Sequence, residues 1–147
     1  MKKVAYVGID YHLNSLSIAV VVKGKKEPVD VVRLKNEDKM IRKYMTKLSE
    51  RFEIKACYEA SSNGYSFQRK MAAWGYPCDV IAPSLIPRKP GDHRKNDFRD
   101  ARDLAQHYAH GTFGTEPGSY HGLFLFGVGL ATSDRGSFNY RHHVTTF

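Results

Sequence analysis

The sequence has little cysteine and no long apolar run. Only two cysteines, Cys57 and Cys78, occur among the 147 residues, too few for a disulfide framework or a zinc cluster. No apolar run approaches the roughly 18 residues that a membrane helix needs. The basic N-terminus reaches Asp10 before the apolar segment of a signal peptide would be complete. We therefore expect a cytoplasmic protein with no membrane partner.

The chain is basic, and its charge is unevenly distributed. It has 23 Lys and Arg against 15 Asp and Glu, a formal net charge of +8. All but two of these basic residues lie in residues 1–110, whereas 111–147 contain no Lys and seven of the 12 Gly. A basic domain of this size can bury a core, and nucleic acid is a reasonable partner for it. We predict a domain at 1–110 and an atypical Gly-rich tail at 111–147. The tail is a poorly ordered segment, the out-of-frame end of a longer gene or a genuine small extension.

Five strands and three helices are predicted in the basic domain. Segments rich in Val, Ile and Tyr predict strands at 3–10, 16–22, 29–34, 54–59 and 78–82. Apolar residues spaced three and four apart predict helices at 37–52, capped by Asn36, from 61–63 to 74, ended by Gly75, and at 96–110. Short connections favour antiparallel pairing of the first three strands, and helical crossovers make the later strands parallel. This order is typical of an α/β, ribonuclease H-like fold with a mixed sheet.

Four acidic residues are predicted to meet at one edge of this sheet. Asp10 ends the first strand and Glu59 the fourth, so parallel pairing brings both to the carboxyl edge. Asp97 and Asp100 share a face at the start of the last helix. Converging carboxylates repel unless a cation neutralises them, and Mg²⁺ or Mn²⁺ prefers carboxylate oxygens. The pattern therefore predicts a metal-dependent phosphodiester site.

Each of these residues also has a simpler interpretation. The first two would cap a turn and end a strand in solvent, and the helical pair would complement the positive end of the helix dipole. Two histidines near the acidic motifs, His12 and His93, are either proton shuttles or surface residues. Taken together on this strand order, the acidic residues favour the metal site.

Basic residues crowd the segment beside the helical acidic pair. They are Arg88, Lys89, Arg94, Lys95, Arg99 and Arg102. Basic side chains next to a metal site would hold a nucleic-acid backbone. The alternative is a solvated loop and helix face.

Three motifs occur along the basic domain, namely VGIDYH at 7–12, YEASSNGY at 58–65 and KNDFRDARDLA at 95–105. They resemble, in order and spacing, the motifs of the DEDD transposases of the insertion-sequence family usually called IS-one-ten, relatives of the Piv site-specific invertases. The resemblance covers about residues 3–110. It implies a RuvC-like domain that takes part in DNA transposition or inversion. It also implies that Asp10, Glu59, Asp97 and Asp100 are catalytic residues that bind Mg²⁺. The partners implied are DNA, a structured guide RNA and other copies of the chain.

The family also has a C-terminal domain with a catalytic serine, and residues 111–147 are too few to hold it. The chain is therefore predicted to be the N-terminal domain of such a transposase. A catalytically incomplete nucleic-acid-binding fragment is the alternative. An actin-like phosphotransferase fragment ranks third, because that class needs glycine-rich phosphate loops and the glycines at 64, 75 and 91 stand singly.

Overall fold

The computed structural model describes residues 1–60, 64–87 and 96–113. These residues contain all the predicted helices and strands, with small shifts at their ends. The strands are β1 (Lys3–Tyr11), β2 (Ser15–Val22), β3 (Asp30–Lys35), β4 (Phe52–Glu59) and β5 (Cys78–Ile81). The helices are α1 (Asp38–Arg51), α2 (Ser66–Ala73) and α3 (Asp97–Ala109). A short 3₁₀ turn, Pro83–Leu85, follows β5.

The strands form one mixed sheet in the order β3-β2-β1-β4-β5. The pairs β1–β2 and β2–β3 are antiparallel, and the pairs β1–β4 and β4–β5 are parallel. The predicted change from antiparallel to parallel pairing is confirmed, and it occurs at β1. Because β1 is the central strand, the residue at its carboxyl end has strands on both sides.

Helices cover both faces of the sheet. Helices α1 and α2 pack on one face through Ile41, Met45, Leu48, Phe67 and Met71. Helix α3 packs alone on the other face through Ala101, Leu104, Ala105 and Tyr108. The two free cysteines are both buried, and Cys57 faces α3 whereas Cys78 faces α1 and α2. None of the helices in the described ranges is long and apolar enough to cross a membrane.

The ends of the helices confirm one prediction and correct another. Gly75 has φ +86° and follows Trp74, the C-cap residue of α2. Its N–H donates to the carbonyl of Ala72, as predicted for a helix-ending glycine. Asn36 does not cap α1, because Glu37 occupies the N-cap position. The Asn36 side chain instead donates to the carbonyls of His12 and Leu13, at 3.0 and 3.1 Å. A contact between distant segments has displaced the local cap.

Two further predictions fall partly outside the described ranges. Residues 61–63, predicted to cap α2, lie outside them, and the N-cap residue of α2 is Tyr65. The domain division at residue 110 stays a prediction, since 114–147 also lie outside. Phe113, just beyond that division, is 5% exposed and belongs to the core under α3.

Helix α3 lies directly against β1 because β1 has a glycine at the crossing point. A Cβ atom on Gly8 would overlap the carbonyl oxygen of Ala101 and lie 2.5 Å from the amide nitrogen of Ala105. Both are backbone atoms, which cannot rotate away as the end of a side chain can. Gly8 therefore sets the distance between α3 and the sheet.

A buried hydrogen bond holds the other end of α3. The Tyr108 hydroxyl donates to Asp79 Oδ2 at 2.6 Å, and these side chains link α3 to β5. Burial, and then the bond to Asp79, raises the pKa of Tyr108 far above its ordinary range. The native state therefore holds this proton strongly.

Gly8→Ala is expected to lower the free energy of unfolding by about 3 kcal/mol, because α3 must move away from the sheet to admit the methyl group. Gly24→Ala is the matched control. Gly24 has φ +88° and open space around its Cβ position, so only backbone strain of roughly 1 kcal/mol applies. Urea unfolding of both variants measures the difference. Equal losses would show that the close approach of α3 is unimportant.

Tyr108→Phe is expected to cost about 1.5–3 kcal/mol at neutral pH, the usual loss for a hydrogen bond to a charged group. At alkaline pH, in contrast, the stability of this variant should fall less steeply than that of the wild type. In the wild type the unfolded chain releases the tyrosine proton near pH 10 while the native state keeps it, so stability falls as pH rises above about 10. Without this hydroxyl the fall should be shallower by roughly 1.4 kcal/mol per pH unit.

Chemical denaturation between pH 7 and 11 tests this expectation. Tyr76→Phe is the control, since the Tyr76 hydroxyl lies in an exposed hydrogen bond with Thr46 and its loss should leave the pH profile close to that of the wild type. An unchanged alkaline slope in Tyr108→Phe would contradict the assigned role of the Tyr108 proton.

Candidate active site

A row of polar residues crosses the sheet on the face that α3 covers. Arg33 on β3 is opposite Ser17 on β2, and Ser17 is opposite Asp10 on β1. The parallel register of β1 and β4 runs to Ile9 opposite Tyr58, and its next step brings Asp10 level with Glu59. Since alternate residues of a strand share a face, Asp10 and Gly8 both face α3. By this register Asp10 and Glu59 lie level with each other at the ends of neighbouring parallel strands.

Helix α3 brings Asp97 to the same place. Asp97, Ala101 and Ala105 are each four residues apart, so they lie along one face of α3. The two alanines lie against Gly8. One step of four residues along α3 spans about 6 Å, and two residues along β1 span about 6.6 Å. From the contact at Gly8, the step to Asp97 along α3 and the step to Asp10 along β1 are nearly equal in length. Asp97 therefore lies beside Asp10.

His12 lies between the two carboxylates. Its Nε2 is 2.8 Å from Asp10 Oδ2 and 3.5 Å from Asp97 Oδ1. An ionised carboxylate can only accept, so Nε2 donates to Asp10. One ligand atom from each of the three residues lies within 4.8 Å of the other two, and all three residues are partly buried. The side chains of Asp10 and Asp97 are 18% and 25% exposed, so the cluster is open to solvent on one side.

Arg33 approaches Asp97 from the antiparallel side of the sheet. Its Nη2 donates to Asp97 Oδ2 at 2.9 Å and to Ser15 Oγ at 3.4 Å. The two oxygens of Asp97 are thus divided, with Oδ2 bonded to Arg33 and Oδ1 facing His12. The guanidinium, which is about half exposed, compensates part of the negative charge that the two aspartates bring together.

The turn that carries His12 is held by main-chain and side-chain bonds. The His12 N–H donates to the carbonyl of Ser15 at 2.9 Å. Asn36 binds the His12 carbonyl from the end of β3. Since both bonds restrain the backbone on either side of the His12 ring, the ring is positioned beside Asp10 by the fold.

The remaining predicted site residues that the structure describes are not part of this three-residue group. Glu59 and Asp100 lie outside the three-residue group, and Asp100 is exposed on the first turn of α3. Arg99 is exposed on the same helix, and Arg102 lies 3.4 Å from Glu27 in the connection between β2 and β3. The other predicted residues, Arg88, Lys89, His93, Arg94 and Lys95, lie outside the described ranges.

The sequence did not predict Arg33 as a site residue. It left His12 as either a proton shuttle or a surface residue. Arg33 is 64 positions from Asp97 in the sequence, and nothing near it resembles a motif. The available signal was the strand register, because any correct pairing of the first three strands places Arg33, Ser17 and Asp10 in line. His12 directly follows β1, two residues after Asp10, and its position in the turn was the clue.

The residues present fit a hard divalent cation. Two carboxylates from β1 and α3 converge, with a third at the adjacent position of β4, and oxygen-rich donor sets suit Mg²⁺ and Mn²⁺. Ser17 adds an independent polar feature. Its Oγ is fully buried beside Asp10 in the row and has no hydrogen-bond partner among the described residues. Ser17, Asp10 and Arg33 thus form a polar row at this end of the α3 face.

Comparisons with known proteins relate the chain to transposases. It is 38% identical over 107 residues to the transposase for insertion sequence element IS1533 of Leptospira borgpetersenii, over 72% of this chain and 31% of the relative. It is 40% identical over 104 residues to y4qE of Sinorhizobium fredii, which is named as a transposase, over 69% and 27%. The chain thus spans less than a third of the length of these curated relatives. No protein-family model matches it.

The fold matches a solved structure of a different protein. T. thermophilus RuvC, in complex with a Holliday junction substrate, superposes with a TM-score of 0.52 at 15% identity, over 76% of this chain and 94% of RuvC. At this identity the likeness concerns the fold alone. It confirms the ribonuclease H-like architecture that the strand order predicted. The chain is thus similar in sequence to part of two transposases and similar in fold to RuvC.

Proposed function

We propose that this chain is the N-terminal RuvC-like domain of a DNA transposase of the IS-one-ten and Piv type, acting on phosphodiester bonds of DNA with Mg²⁺ or Mn²⁺. One observation carries the proposal. Asp10 on β1 and Asp97 on α3, distant in sequence, converge on His12 Nε2 at the carboxyl end of the central strand. This edge is where open α/β sheets place their sites.

Asp10 and Asp97 would hold the metal, with Glu59 and Asp100 completing the acidic set. A bound divalent cation would stabilise the negative charge that develops on a phosphate during transfer. Arg33 keeps Asp97 oriented toward β1 through its bond to Oδ2. His12 holds a proton against Asp10 Oδ2. A cation that takes both carboxylates competes with these two basic groups, and this competition would regulate how tightly the metal binds.

The DNA backbone would lie along the exposed side of the cluster. Arg99 and Arg102 lie on α3, and Arg88, Lys89, Arg94 and Lys95 precede it in sequence. Contacts from such residues to phosphates position a duplex without reading its sequence. By the same resemblance, a structured guide RNA and other copies of the chain are further partners. Its two free thiols suit the cytoplasm, where thiols stay reduced.

A second candidate is a nucleic-acid-binding fragment that does not complete the reaction. The basic residues on α3 and in the segment before it favour it, because they can hold a phosphate backbone whether or not a metal is bound. Such a fragment would bind nucleic acid, and the acidic cluster would not support cleavage by this chain alone.

Asp97→Asn separates the two candidates. In the wild type, adding Mn²⁺ or Mg²⁺ should raise the melting temperature, because a ligand of the native state alone adds about 2.7 kcal/mol of stability at 100 times its Kd. Asp97→Asn should lose most of this rise, since it removes a charged ligand. It should also lose metal-dependent cleavage of DNA while keeping DNA binding in EDTA.

Asp103→Asn is the matched control, an exposed aspartate further along α3, and it should behave as the wild type. A metal-induced rise without any cleavage would favour the binding fragment. A cooperative melt that neither metal shifts in the wild type would overturn the metal site.

A further inference from the structure

A basic row runs along α1, on the face of the sheet opposite to α3 and the acidic cluster. Lys39, Lys43, Lys47 and Arg51 recur every four residues, and we call them the α1 row. All four are exposed. The buried residues of α1 are Ile41, Met45 and Leu48, so the row lies beside the packed stripe and faces solvent.

The lysines of the row are not compensated by nearby carboxylates of the described residues. Among the described residues, no carboxylate lies within 4.0 Å of the ammonium groups of Lys39, Lys43 or Lys47. The helix itself carries two acidic residues. Asp38 is 2.9 Å from Lys70 and is thus already compensated, which leaves Glu50 as the other.

The row ends at a basic groove. A cavity of about 600 Å³ opens where β1 and β4 begin and β2 ends, and its basic lining residues are Lys3, Lys25, Lys26 and Arg51. The one acidic lining residue, Glu27, lies 3.4 Å from Arg102. The groove is therefore a cationic continuation of the α1 row, at the end of β1 opposite to Asp10.

The spacing of the row suits a phosphate backbone. Residues four apart on a helix are separated by about 6 Å along its axis, so the row spans about 18 Å. One strand of a DNA duplex carries a phosphate about every 3.4 Å of axis. An axial length of 18 Å covers about five base pairs, so each of the four side chains would have a phosphate within the length of the row. Lysines contact such phosphates as point charges and place a duplex without reading bases.

The chemistry of the surface favours a duplex over a single strand. Proteins that hold single strands stack bases on exposed aromatic rings. Phe52, the aromatic residue of the groove, has the Arg51 guanidinium 5.0 Å above its ring. Trp74 beside α1 is likewise approached by Arg42, at 5.8 Å. These rings are occupied by cations of the chain itself.

We infer that the α1 row and the basic groove form a second binding surface for double-stranded DNA, separate from the acidic cluster. The choice of DNA rests on the proposed function. The surface itself does not require the metal site, so the two can fail independently. A duplex seated here would extend the contact of the domain with DNA beyond the place of reaction.

The test measures binding of the full chain to a 30-base-pair duplex of arbitrary sequence by fluorescence anisotropy, in EDTA, over a series of NaCl concentrations. The quadruple variant K39Q/K43Q/K47Q/R51Q should bind roughly tenfold or more weakly. The slope of log K against log [NaCl] should also become shallower by about three to four, near 0.9 for each lost phosphate contact. Its melting temperature should stay close to that of the wild type, because the four side chains are exposed.

The control variant K39R/K43R/K47R keeps the charge and should keep both affinity and slope. Asp103→Asn, which removes an exposed carboxylate of α3 outside the row and the groove, should also keep them. Because the assay contains EDTA, it measures this surface without any metal at the acidic cluster. An unchanged salt slope in the quadruple variant would overturn the proposal. So would a loss confined to single-stranded RNA with duplex DNA binding intact, since the surface would then have a different partner.

Discussion

The contact between Gly8 and α3 is the constraint on which the acidic cluster depends. With no side chain at this point, the backbone of α3 can approach β1 closely enough for Ala101 and Ala105 to lie on the strand. Four residues along α3 from Ala101 and two residues along β1 from Gly8 cover similar distances, so Asp97 and Asp10 lie close together. At the other end, the bond from Tyr108 to Asp79 holds α3 against β5. The site is thus positioned by two packing contacts that contain none of its own residues.

Electrostatics opposes this arrangement, and the chain compensates for it locally. Two partly buried carboxylates on the same face repel each other, and the native state must offset that repulsion. His12 and Arg33 do so by direct bonds to Asp10 and Asp97. These basic groups come from the β1–β2 turn and from β3, elements that the antiparallel half of the sheet supplies. The parallel half places Glu59 level with Asp10 at the same edge of the sheet. The change of strand direction at β1 is therefore what brings acidic and basic groups to one place.

Most of the fold was predictable from local patterns, and the acidic residues of the site were predictable from motifs at the ends of elements. Strands and helices were predicted from their composition and from the spacing of their apolar residues. Asp10, Glu59 and Asp97 lie near the end of a strand or at the start of a helix. The errors and omissions concern contacts between distant segments. Asn36 has the chemistry of a helix cap, yet two carbonyls of the β1–β2 turn lie within its reach and bind it instead. Arg33 and Ser17 carry no local signal, because their position beside Asp10 depends on the register of three strands.

The distribution of charge follows from the same architecture. The chain has a net charge of +8 and also a cluster of carboxylates. The α1 row and the carboxylates lie at different places on the sheet. The carboxylates collect on the α3 face at the carboxyl end of β1, whereas α1 presents a basic row on the opposite face. If the basic residues surrounded the carboxylates on every side, they would neutralise them and compete with a cation for them. Because the α1 row is separate from the carboxylates, it can attract a polyanion over distances near the Debye length, about 8–10 Å in ordinary salt. In the proposed function, this separation lets the carboxylates bind a cation while the α1 row holds DNA.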